Sequence, residues 1–94
     1  MNSLICKGKI ASEINLHGST SGLPKATFLL EVNNSDPIPL KLYTIFMGTN
    51  AEKIRELKPG SFILVTGRLA ASLKKGGQYG LSLIGSYYEV FTSI

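Results

Sequence analysis

Between Lys25 and Val32 every second side chain belongs to one face: Ala26, Phe28, Leu30 and Val32 on one side, Lys25, Thr27, Leu29 and Glu31 on the other. A period of two marks a strand with one buried face. The same pattern recurs along the chain, so a sheet is the only architecture that can bury most of its apolar side chains. Leu4 to Ile10 turns Leu4, Cys6 and Ile10 inward with Gly8 among them, and strand one is expected to continue through Glu13, Ile14 and Leu16. His17-Gly18-Ser19-Thr20-Ser21-Gly22 is rich in turn formers and reads as the first loop. Lys25 to Val32 is strand two. After the turn residues Asn33 to Pro37, Ile38 to Met47 forms strand three, opposing Leu42, Thr44 and Phe46 to Lys41, Tyr43, Ile45 and Met47.

A different period follows. Ala51, Glu52, Lys53, Ile54, Arg55, Glu56 and Leu57 are helix formers that set Ile54 and Leu57 on one side, with Thr49 or Asn50 as N-cap and Pro59-Gly60 as the stop. Phe62 to Leu69 resumes the alternation as strand four, with Gly67 inside it. Ser72-Leu73-Lys74-Lys75-Gly76-Gly77-Gln78 is a hairpin tip, and Tyr79 to Phe91, interrupted by Gly85, is strand five. A glycine inside a strand lets it bend or lets another backbone come close. The order β-β-β-α-β-β with such glycines in strands one and four predicts an all-β fold, the five-stranded Greek-key barrel of the oligonucleotide-binding (OB) type, with one short helix between strands three and four. An SH3-like barrel is the rival, but it has shorter strands and no helix here. Ninety-four residues leave room for one domain, residues 1–94, and a core this small is helped by association with further copies.

Catalysis fails on inventory. His17 is the sole histidine and Cys6 the sole cysteine, so the chain has neither a metal-ligand set nor an intramolecular disulfide. His17 reads as a solvated loop residue and Cys6 as a small core residue. The six acids are scattered without a carboxylate couple, and no phosphate-cradling glycine motif occurs. The chain is expected not to be an enzyme and to need no cofactor. No apolar run has the length of a membrane helix and no signal segment opens the chain, so the expectation is a cytoplasmic, nucleoid-associated protein without a membrane partner.

Ten lysines and arginines against six acids give a net charge of +4, which suits a polyanion without identifying one. Lys25, Lys41, Tyr43 and Met47 fall on the outward faces of strands two and three, which carry nucleic acid in OB barrels. Lysines release counterions from phosphates, and an aromatic ring can stack on a base. Lys74, Lys75 and Tyr79 extend this set as a basic arm at the last hairpin. Each group has a plainer reading, Tyr43 as a strand former and the hairpin as a solvated turn. Ile5, Phe62 and Leu64 point away from the core, an apolar load expected at a subunit interface.

Three segments carry a family resemblance: residues 2–10 (Asn-Ser-Leu-Ile-Cys-Lys-Gly-Lys-Ile), residues 21–31 (Ser-Gly-Leu-Pro-Lys-Ala-Thr-Phe-Leu-Leu-Glu) and residues 59–69 (Pro-Gly-Ser-Phe-Ile-Leu-Val-Thr-Gly-Arg-Leu). Together they resemble bacterial single-stranded DNA-binding proteins, and the second is also similar to the primosomal replication protein PriB, a dimeric relative. The resemblance implies single-stranded DNA binding in replication, recombination or repair by a homodimer or homotetramer. The PriB side implies a primosome component or a protein-interaction module with replication partners and weak DNA contact. The departures bear on mechanism. That family stacks bases on tryptophans, and this chain has none; Lys41 and Lys74 stand near those positions, and Met47 replaces the aromatic before the strand-three glycine. The family's acidic, phenylalanine-tipped tail is also missing from a chain that stops at Phe91-Thr92-Ser93-Ile94, so either the tail has been removed or there is no such recruiting role.

Overall fold

The computed structural model describes residues 3–18, 22–32, 37–73, 76–77 and 79–92. The elements are β1 (Leu4–Ile10), β2 (Asn15–His17), β3 (Lys25–Val32), β4 (Leu40–Met47), α1 (Thr49–Ile54), β5 (Phe62–Leu73) and β6 (Tyr79–Thr92). The strands run β1-β5-β6-β4-β3-β2 in one sheet, and a β1–β3 pairing closes it into a barrel. Every pairing is antiparallel except β4 with β6. Counting β1 and β2 as two lengths of one bent strand gives the expected five-stranded Greek-key barrel, with the helix after the third strand.

Strand one does not run straight through. Ile10 pairs with Leu30 and Asn15 with Thr27, so five steps on one strand oppose three on the other, two extra residues in all. Ser12 sits at this corner. Its Oγ accepts the Leu29 N–H at 2.9 Å and donates to the Glu13 carbonyl at 3.1 Å, giving Leu29 a partner where the ladder is interrupted. Beyond the corner, pairing resumes for three residues, which places His17 at a strand end rather than in the loop expected from its neighbours.

The interior follows the alternation. Cys6, Ile10, Ala26, Phe28, Leu30, Phe46, Ile63, Val65 and Leu83 are buried, with Ala51 and Ile54 of α1 among them at one end. Phe46 lies parallel to Phe28 at 6.3 Å between centroids and meets the Tyr88 ring edge-on at 5.6 Å, while Gly85 leaves the room its ring occupies. Val32, expected inside, is half-buried at the end of β3. Thr27, expected on the open face, is only 2% exposed.

The helix is shorter than its composition suggests and is capped differently. Gly48, with φ of 69°, is its N-cap without a side-chain cap, in place of Thr49 or Asn50. Its N–H donates to the Pro24 carbonyl at 2.9 Å, a bond that ties the end of β4 to the approach to β3. The helix ends at Ile54, ahead of Pro59, and Leu57 packs against the core from the following turn.

Closure rests on two glycines. A Cβ on Gly8 would land on the Glu31 carbonyl, and one on Gly67 on the Ile84 carbonyl. Both neighbours are backbone and cannot swing aside, so Gly8→Ala and Gly67→Ala are each expected to cost about 2–3 kcal/mol, as core overpacking does. The measurement is the urea midpoint, with Gly18→Ala as the control because a Cβ there meets nothing within 4 Å.

Candidate functional site

The outward faces of β2, β3 and β4 form rows of side chains abreast. Lys25 is the register partner of both His17 and Met47, Thr27 of both Asn15 and Ile45, Leu29 of Tyr43, and Glu31 of Lys41. Adjacent strands lie about 4.8 Å apart, so each three-residue row spans about 10 Å. This surface brings together four of the seven residues expected to bind nucleic acid. Lys41 is exposed, Lys25 is half-buried, and Tyr43 and Met47 are 45% and 51% exposed. Lys74 and Lys75 lie outside the described residues, as does the side chain of Tyr79.

Both ends of this surface carry charge. Glu31 pairs with Lys9 Nζ at 3.6 Å and also stands opposite Lys41, so an acid flanked by two lysines occupies that end. Lys25, at the other end, has His17 and Met47 as its row neighbours. With two lysines to one acid, the Glu31 end keeps a net positive charge, as the Lys25 end does.

Two residues join the site that the sequence did not mark. The His17 ring shares a 3.2 Å hydrogen bond between Nε2 and the buried Thr27 hydroxyl, and lines a cleft of about 270 Å³ with Gly18, Leu23, Lys25 and Met47. Its surroundings of glycine, serine and threonine point to a turn, and only the two-residue corner at Ser12 shows that pairing continues. Arg68 continues the Thr27–Ile45 row through Ile84, two strands beyond Ile45, on an exposed face. Alternation along β5 turns it outward in phase with Phe62, Leu64 and Thr66, since the extra residue at the register shift is Ser86 on β6; the β4–β6 pairing is what joins it to this face.

The three residues expected at a subunit interface share the opposite face, where β1, β5 and β6 again make rows: Ile5–Thr66–Tyr87, Lys7–Leu64–Glu89 and Lys9–Phe62–Thr92. Ile5 is 67% exposed, Phe62 41%, and Leu64 is half-buried. Tyr87 and Phe91 enlarge the patch, with Lys7 Nζ 4.8 Å from the centre of the Phe91 ring.

A closed Greek-key barrel of five strands, with a helix at one end after the third strand and an open cationic and apolar face on the second and third, is an OB fold. Among solved structures the chain is similar to the SSB domain of a Synechococcus sp. protein, at 17% identity over 94% of this chain and 93% of that one, with a TM-score of 0.80. No family model and no curated protein matches the sequence.

The Tyr87 hydroxyl donates to Glu89 Oε1 at 2.8 Å, and this bond, with some burial and the carboxylate charge, holds its phenol above the usual value of 10.0. The bond is made by the protonated phenol, so it delays ionisation as pH rises. Glu89→Gln is expected to bring Tyr87 ionisation to lower pH in a spectrophotometric titration, while Tyr88, raised by burial, does not move.

Proposed function

We propose that this chain binds single-stranded DNA across the outward face of β3 and β4, as a homo-oligomer, in replication, recombination or repair. The observation that carries this reading is the alignment on an OB barrel of two lysines, Lys25 and Lys41, with the open side chains of Tyr43 and Met47. Lysine supplies counterion release, and Tyr43 supplies a ring on which a base can stack. The similarity to an SSB domain supports the same reading, as does the net charge of +4. Binding needs no chemistry and no cofactor, and the protein acts at the nucleoid in the cytoplasm. The hairpin residues Lys74, Lys75 and Tyr79 belong to the proposed contact set as a basic arm over the strand.

Assembly is the second part. The face of Ile5, Phe62, Leu64, Tyr87 and Phe91 is the proposed interface between copies, and it carries both Lys7 and Glu89, charges that a two-fold arrangement can pair across the contact. A second reading, a primosome component or protein-docking module with weak DNA contact, is favoured by one observation. An apolar cleft of about 610 Å³ opens among Leu4, Ile5, Val32, Leu40, Leu42, Leu69 and Leu81.

Fluorescence anisotropy with labelled oligo-dT and with duplex separates the two. Micromolar or tighter binding to the single strand alone is expected, with log K falling by about 0.7 per phosphate neutralised for each unit of log salt. No binding at about 50 mM salt defeats the proposal, because electrostatic attraction is strongest when salt is low. Within the site, Lys25→Ala and Lys41→Ala are each expected to weaken binding through lost counterion release. Tyr43→Ala should cost about 1 kcal/mol or more and persist at high salt, where the lysine effects fade. For the interface, light scattering should find a dimer or tetramer at roughly tens of micromolar that Ile5→Lys dissociates, since a buried contact does not accept an unpaired charge.

A further inference from the structure

The cleft at the Lys25 end of the face is built from side chains of two kinds. Leu23 and Met47 are 52% and 51% exposed, large apolar groups left open to solvent on facing sides. Leu23 is set there by the adjoining Pro24 carbonyl, which accepts the Gly48 N–H at 2.9 Å and so fixes the chain entering β3 against the end of β4. Lys25 and His17 supply the polar wall. The Thr27 hydroxyl, on a residue only 2% exposed, holds one nitrogen of the His17 ring at 3.2 Å, which restricts how the ring can turn.

A phosphate is poorly matched to this lining, because two of its walls cannot donate a hydrogen bond and would desolvate a charge. A planar base is well matched. It can lie against a thioether and a leucine, meet an imidazole held by a neighbour, and leave its phosphate at the rim beside the Lys25 ammonium. The cleft volume of about 270 Å³ is enough to admit one base. Met47 and Tyr43 are four residues apart on β4, about 13 Å at strand rise, so a base here is a different one from any base on the Tyr43 ring.

We propose that the cleft of His17, Leu23, Lys25 and Met47 seats a single nucleobase of the bound strand, with His17 as a direct binding residue. This rests on the single-strand reading above and adds to it a second base position. Among the described residues lining the cleft, Lys25 on β3 supplies the cation at the rim; Leu23 and Gly18 on the flanking segments and Met47 on β4 bring no charge, and the tethering Thr27 is neutral.

The test uses the full chain with labelled oligo-dT and the same oligonucleotide carrying abasic sites. The intact protein should lose affinity for the abasic strand. In His17→Ala, oligo-dT affinity should fall by about five- to tenfold, a modest stacking-sized loss. The abasic penalty should shrink in that variant and in Met47→Ala. A wild-type abasic penalty in a folded His17→Ala overturns the base seat and leaves the single-strand reading intact. Failure of the intact protein to bind oligo-dT at all overturns both together.

Discussion

Closing a barrel this small requires backbones to pass closer than any side chain permits. At Gly8 the first strand runs against the Glu31 carbonyl, and at Gly67 the fifth runs against that of Ile84, each in space that a single methyl group would fill. Nearly everything else depends on these two crossings. They bring β1 onto β3 and fold the β5–β6 pair across the interior, so that Phe28, Phe46 and Tyr88 meet in one cluster. They also bend the sheet enough that its outside becomes two opposed surfaces, one on β2, β3 and β4 and one on β1, β5 and β6.

Those two surfaces divide the chemistry. One carries lysine beside open thioether and phenol; the other carries isoleucine, phenylalanine and tyrosine with one lysine and one glutamate in the same row. A chain with a modest core can use the second surface to bury area with copies of itself and leave the first for a polyanion. The acid at Glu31, held between Lys9 and Lys41, offsets one of those two lysines, so both ends of the first surface stay cationic.

The strands and the helix were legible because they rest on periodicity, which a single sequence displays. Ala26, Phe28, Leu30, Thr44, Phe46, Ile63 and Val65 are inside as alternation requires, and Gly8 and Gly67 stand where a bare backbone is needed. Lys25, Lys41, Tyr43 and Met47 share the surface that the alternation assigns to them. What was hidden depends on bonds between segments distant in sequence. Gly48 caps the helix while its N–H reaches Pro24, and the buried Thr27 pairs its hydroxyl with the His17 ring, neither of which leaves a local pattern. Arg68 joins that surface only through the β4–β6 pairing, and His17 only through pairing that resumes beyond the Ser12 corner, contacts between segments distant in sequence that no local pattern displays.

The corner at Ser12 has a consequence for how such a chain can vary in length. The five steps from Ile10 to Asn15 and the three steps opposite are both odd, so in and out remain in phase across the two strands despite the extra residues. Parity, not length, is what the corner preserves. Adding or removing a pair of residues between Ala11 and Ile14 would enlarge or shrink the corner and leave the histidine facing outward beside Lys25. A single-residue change there would invert the short strand, turning Leu16 to the surface row and His17 toward the interior. Homologous chains that keep this surface should therefore differ in length at the corner by even numbers.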